Sequence, residues 1–404
     1  MTRSRVSGWT IAILSTLAIA ILAAPSSAQT EASAPSGHGG WKISATIGAT
    51  GTYDDNPFLL SPTKKSELEA PSAGQVTSGK YVNMTSATDL VTLLSGSLEF
   101  KGRGISGQTV RVIPRADYEL YGQNSERSNL GLRLDLEQDL GHGGRIRAQG
   151  SYAPSYFAKN YLADAVDGNA DLVISSDERV YRPGQYREAE LGGDLRFRLV
   201  KAAKHHPFGA AIQVGGGYYD RAYDSPFATR DLNGPLLDAT LLLDLGRSVR
   251  LDLSYDFASL GATPGDMVEL LDEPDFSQDF NNNGNTTDLN VRVVAPVDYS
   301  RKEHNLGAAL RFALGRRSDL KLDFVHRWRH FSSTEPLDVS NRDREDWRNQ
   351  LGGELDHGLG RHLDLRLGGS WTRQKLNRAG DPGAQGEVND YTHAQALLGL
   401  TYGF

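Results

Sequence analysis

Charged residues recur at every second position in several stretches of this 404-residue chain. Arg133, Asp135 and Glu137 alternate with Leu132, Leu134 and Leu136. Arg250, Asp252 and Asp256 alternate with Leu251, Leu253, Tyr255 and Phe257. Asp364 and Arg366 alternate with Leu363, Leu365 and Leu367. A side-chain period of two sends such sets to opposite faces of a strand. By the same rule Arg111, Arg115, Arg147, Arg196, Arg198, Arg311 and Arg348 share a polar face with Asp117, Glu119, Glu188, Glu190, Asp194 and Glu354. Fixed charges inside a water-filled pore set its ion preference. A second reading stays open beside that one: the same charges pair across neighbouring strands and hold a wet interior together.

Two other constellations bear on chemistry. Asp279, Asn281 and Asn283, with Gly284 behind them, match the first half of an EF-hand calcium loop. Asn290 stands where the closing Glu belongs, so a loop calcium ion is a weak expectation and a solvated Asn/Asp-rich turn the stronger one. His326 and His330 flank Arg327, Trp328 and Arg329, with Ser332, Ser333, Asp343 and Glu345 nearby. That gathers Ser, His and acid in one region, but no spacing fixes a triad. No catalytic residue and no organic cofactor is assigned.

These residues need strands to position them. Leu140-Gly141-His142-Gly143-Gly144-Arg145, Leu245-Gly246-Arg247-Ser248, Leu314-Gly315-Arg316-Arg317-Ser318 and Leu359-Gly360-Arg361-His362 each sit between two alternating runs. A short Gly-containing turn between such runs signals a β-hairpin. Longer polar connections separate the hairpins. Short turns at one end and long loops at the other are the asymmetry of outer-membrane barrels. Fourteen strands are expected, near 41–52, 89–102, 108–121, 128–139, 145–157, 186–200, 207–220, 235–245, 248–260, 302–314, 319–331, 346–358, 362–374 and 391–404. Twelve or sixteen are the alternatives. The run 289–294 also alternates, and reads either as a strand top or as a hairpin within a loop. The long loops 53–88, 158–185 and 261–301 are expected to narrow the lumen.

The fold class is therefore an all-β, transmembrane, antiparallel up-and-down barrel over 41–404. A cleaved signal peptide is expected over 1–28, from Arg3, Arg5, the apolar stretch Trp9–Ala24 and the small residues Ser26-Ser27-Ala28. Residues 29–40 read as a disordered lead-in. The chain has no Cys, which excludes disulfides and cysteine metal sites. A hydrophobic content of 39% is low for a soluble domain of this length, but fits a barrel with a polar lumen. The net charge of −7, without a basic stripe, argues against a nucleic-acid partner.

The final segment, with Leu398, Leu400, Tyr402 and Phe404 on one face, resembles the C-terminal signature of Gram-negative outer-membrane barrels. That resemblance implies that Leu400, Tyr402 and Phe404 are read by the barrel-insertion machinery. Tyr53-Asp54-Asp55-Asn56-Pro57-Phe58 resembles a segment near the mature N-terminus of the β-barrel porin type 2 family of proteobacteria, with Pro57 departing from the family's small apolar residue. The resemblance implies an outer-membrane barrel and supplies no catalytic residues. The expectation is a porin-like pore for small hydrophilic solutes, in contact with outer-membrane lipid and lipopolysaccharide and with both termini periplasmic. An export or assembly barrel for an exopolysaccharide or surface protein, a plugged structural or adhesive barrel, and a barrel hydrolase are the rivals. Oligomeric state is not legible.

Overall fold

The computed structural model describes residues 40–73, 76, 78–104, 107–165, 178–201, 208–271, 291–335, 338, 341–378 and 390–404. The expected signal peptide, nearly all of the lead-in, and the calcium-type loop at Asp279, Asn281 and Asn283 lie outside the described residues.

Fourteen strands close into one antiparallel barrel. They are β1 (Lys42–Asp54), β2 (Asp89–Arg103), β3 (Thr109–Tyr121), β4 (Asn129–Gly141), β5 (Gly144–Ala165), β6 (Arg179–Val200), β7 (Gly209–Tyr223), β8 (Leu232–Asp244), β9 (Val249–Leu260), β12 (Arg301–Ala313), β13 (Ser318–Phe331), β14 (Arg344–Gly358), β15 (Leu363–Arg378) and β16 (Tyr391–Gly403). Neighbours in sequence are neighbours in the wall, and β16 closes on β1 with Tyr402 opposite Ile47 and Gln395 opposite Asp54. The alternating run near 289–294 belongs to a hairpin of β10 (Gly265–Leu271) and β11 (Val291–Val297), outside the barrel sheet. Val297 and Tyr299 anchor that connection by packing on Leu232 and Leu260.

Alternation decides which side is which. Leu132, Leu134, Leu136, Leu191, Leu237, Leu306, Leu351 and Leu398 are all exposed on the outer face. Water would not hold such a continuous apolar surface in a monomer, and hydrocarbon would. Among the described residues no helix is long and apolar enough to cross a membrane.

Three of the four repeated turns share one closure. Leu245, Leu314 and Leu359 each donate a backbone N–H to the carbonyl four residues on, at 2.9, 2.8 and 2.9 Å. In the fourth, His142 and Gly143 have φ of 50° and 82°, the pair of positive angles that a type I′ hairpin demands.

One expected loop is shorter than the sequence suggests. β5 and β6 run 22 residues each, so strand covers much of 158–185. Register shifts between Ala153 and Tyr156, Phe157 and Asn160, and Leu162 and Asp164 break the alternation. The period-two signal therefore fades although the ladder continues. Phe157, Tyr161, Leu162 and Ala165 are buried there, so long-range packing extends the strands.

Candidate functional site

The loop end is built from the Tyr53–Phe58 segment. Asp54 accepts hydrogen bonds from His393 Nε2 at 2.8 Å, Gln395 Nε2 at 3.1 Å and the Asn56 backbone N–H at 2.8 Å. Asp55 exchanges bonds with Ala394: its backbone N–H donates to the Ala394 carbonyl, and its carboxylate accepts from the Ala394 N–H. Asn56 is almost fully buried. Its Nδ2 donates to the carbonyls of Leu60 and Thr392, and its Oδ1 accepts from the Leu60 N–H. Three polar side chains thus keep the chain tied to β16 while the backbone leaves the wall. Asp54, Asp55 and His393 also bring their ligand atoms within 4.8 Å of one another, the one such group among the described residues. Those atoms already serve the latch.

Beyond the latch the chain folds onto β5. Phe58, Leu60, Leu68, Met84 and Ala87 bury against Phe157, with the rings of Phe58 and Phe157 edge to face at 6.2 Å. Leu68 comes from a short helix, α1 (Pro62–Glu69), whose N-cap Ser61 accepts from the Lys64 N–H. Glu67 on α1 takes bonds from Lys80 and Tyr81, each at 2.7 Å. Burial pushes the Glu67 carboxyl up, but those two donors outweigh it and hold the carboxyl below its usual range. Burial first, then the Glu67 carboxylate, push the Tyr81 hydroxyl well up.

Arg127, in the connection between β3 and β4, joins this cap to the wall. It donates to the Ala158 carbonyl at 2.7 Å and to the Tyr156 hydroxyl, and lies 5.1 Å from the Phe58 ring centroid. Beside it a belt of rings crosses three strands: Tyr156 to Tyr186 at 5.0 Å and Tyr186 to Tyr223 at 4.9 Å. Arg221 covers Tyr186 at 4.4 Å and bonds Glu188 at 2.7 Å. Under the cap lies a cavity of about 470 Å³ whose lining includes Glu119, Tyr156, Tyr186, Arg221, Arg348 and His393. These residues come from strands on widely separated arcs of the wall, so they face the interior.

The hydrogen-bonded register traces one row of inward positions that reaches this cavity at Arg348: Arg111, Glu137, Arg147, Asp194, Gly215, Asp238, Asp256, Asn305, Arg327, Arg348, Gln374. Strands tilt in a closed barrel, so the row climbs from turn end to loop end. Its first part is paired, Arg111 with Glu137 at 3.2 Å and Arg147 with Asp194 at 2.6 Å. Its second part is not. Asp238 stands directly opposite Asp256, and Arg327 directly opposite Arg348. None of these four makes an ion pair among the described residues; Arg327 donates instead to Asn305 Oδ1 at 2.8 Å, and Arg348 to Gln350 Oε1 at 3.2 Å. Like charges directly opposite each other destabilise a sheet. A second cavity, about 350 Å³, is lined by Arg147, Glu190, Asp194, Asp238, Asp256 and Asn305.

The sequence-derived candidates fall into two groups. Arg115 and Arg133 meet Asp135 at 3.4 and 2.9 Å, Arg250 meets Asp252 at 2.7 Å, and Arg366 meets Asp356 at 3.0 Å. Arg196, Arg198 and Arg348 have no carboxylate partner among the described residues. Leu400, Tyr402 and Phe404 are exposed on the outer face, with the two rings 4.7 Å apart. The Ser/His/acid region does not assemble: His326 bonds Asn349 and His330 meets Glu345, on the outer face. Sequence reasoning missed Arg221 and Arg327, which the same alternation places inward. It also missed Arg127, which sits in a connection and carries no periodic signal.

No family model and no curated protein matches the sequence. Among solved structures, the chain is similar to a bacterial polysaccharide outer-membrane secretin (9% identity, covering 89% of this chain and 98% of that one, TM-score 0.36). It is also similar to an outer-membrane channel from Pseudomonas putida F1 (11%, 92% and 99%, 0.37) and to OmpT, an outer-membrane protein of Vibrio cholerae (7%, 91% and 100%, 0.40). At these scores the likeness decides nothing about this chain, and its own geometry carries the reading.

Proposed function

We propose that the chain is an outer-membrane channel for small hydrophilic solutes, with its loop end toward the outside and its passage running beneath the cap. The observation that carries this reading is the pair of like-charged contacts, Asp238 against Asp256 and Arg327 against Arg348. A barrel that needed only a stable polar filling would neutralise such neighbours, as Arg147 and Asp194 do at 2.6 Å. Charge of both signs without a direct ion pair, on adjoining stretches of wall, is what a permeating solute feels.

Reversal potentials across a planar bilayer test it. Asp238→Asn with Asp256→Asn is expected to move selectivity toward anions. Arg327→Gln with Arg348→Gln is expected to move it toward cations, with folded barrel in both cases. Opposite shifts carry the channel reading. Closed traces for every form would instead support a plugged structural barrel, the second reading, which the buried Phe58–Phe157 cap favours.

A further inference from the structure

The outer face is unequal around its circumference. Toward the loop end, the outward positions of β1–β4 are Tyr53, Leu90, Leu120 and Leu130, those of β7–β9 carry a single charge, Asp220, and β6 carries the exposed cation Arg187, with no tryptophan opposite it. On β12–β15 the same level carries three exposed cations, Lys302, Arg373 and Lys375, against one carboxylate, Glu345, which His330 meets at 3.5 Å. None of the three meets a carboxylate among the described residues. The register sets Lys375 opposite Trp347 and Trp347 opposite Trp328, with Lys302 opposite His330 and Arg373 opposite Asn349 on the same face. Trp328, Trp347 and Trp371 make this arc the richest in tryptophan of the described chain. Polar groups here also point outward in hydrogen-bonded pairs, His304 Nδ1 with the Tyr255 hydroxyl at 2.9 Å and His326 Nδ1 with Asn349 Oδ1 at 2.8 Å. His304 stacks on Trp328 at 5.1 Å.

Tryptophans mark the boundary between hydrocarbon and headgroups. Unpaired cations at that boundary sit where lipid phosphates lie. We propose that the β12–β15 face binds a phosphate-bearing lipid headgroup of the leaflet at the loop end, with Lys302, Arg373 and Lys375 holding the phosphates and Trp328 and Trp347 packing beside the first methylenes of the acyl chains. Charge complementarity chooses this occupant over a second copy of the chain, because three cations outnumber the single carboxylate Glu345, already met by His330, and an identical arc would bring that excess against itself across a two-fold interface.

Native mass spectrometry of the folded barrel tests this, with bis-phosphorylated lipid A and with the same lipid stripped of its phosphates as probes. The full chain is expected to retain the phosphorylated form preferentially. Each cation removed lowers that retention about fivefold, and Lys302→Gln/Arg373→Gln/Lys375→Gln together about a hundredfold. Arg187→Gln, on the outer face of β6, is the control and should change retention less than twofold. If the triple variant does not reach the heat-modifiable folded form, Arg373→Gln alone carries the test. Equal retention of both lipids by the unaltered chain overturns the proposal, as does unchanged retention by the variants. So does a dimer of the unaltered chain that dissociates on substitution without lipid discrimination, which would give the face to a second copy.

Discussion

At the turn end, Leu245, Leu314 and Leu359 close the same short loop from residues at most four positions apart. At the loop end, Asn56 reaches Thr392 across 336 positions, and Phe58 packs on Phe157. One end is assembled from local turn chemistry, the other from contacts that exist only once the barrel has closed. Adjacent turns are tied in the same plain way, the Ala313 N–H to the Ser248 carbonyl and the Gly358 N–H to the Arg317 carbonyl, both at 2.8 Å. The cap relies on buried rings, a buried arginine and side chains standing in for a ladder. The turn end therefore tolerates substitution position by position, while the cap responds as a unit.

The largest expected effect comes from Phe58→Ala. Truncating a buried aromatic costs about 3–5 kcal/mol, and here the loss falls on the cap, since the wall keeps its own hydrogen bonds. The barrel should stay heat-modifiable while the segment 55–88 becomes open to protease and conductance rises. Global unfolding would break the comparison, because it would make the cap part of the wall's stability.

A smaller effect separates two turn glycines. Gly143 has φ of 82°, and a Cβ there would meet the Arg198 side chain at 2.5 Å. Gly143→Ala should cost about 1–2 kcal/mol. A Cβ on Gly246 meets nothing within 4 Å, so Gly246→Ala should stay within about 0.5 kcal/mol. Urea unfolding in lipid vesicles measures both, and a cost at Gly246 matching that at Gly143 would mean the turns are not independent.

The smallest effect is a pH dependence of the cap. The Glu67 carboxyl is held below its ordinary value, near 4.5, chiefly by Lys80 and Tyr81 against the opposing push of burial. A depressed folded-state value stabilises above the unfolded one and is lost as pH falls through the folded one. Protease access to 55–88 should therefore rise below about pH 4.5, and Glu67→Gln should flatten that profile without altering the turn end. An unchanged profile in Glu67→Gln would assign the acid response to another group.

The alternation of Leu with Arg and Asp was enough to find fourteen strands, because a period of two is a property of the extended backbone itself. The Leu-Gly-Arg turns were legible for the same reason: their geometry is settled within a few residues. The latch was visible only as an unexplained motif, since nothing in Asp54-Asp55-Asn56 names His393, Ala394 or Thr392 as partners. Arg127 gave no signal at all, because its position depends on rings brought from β3, β5 and the cap. The upper parts of β5 and β6 were hidden by bulges that erase alternation while packing preserves the ladder. The like-charged neighbours were legible only in part. Alternation could place Asp238, Asp256, Arg327 and Arg348 on one face, but only the register of β8 on β9 and of β13 on β14 sets each beside its like. Sequence determines which face a side chain takes. Tertiary structure decides which neighbour it meets there, because register is set by the closure of the whole barrel and not by any one strand.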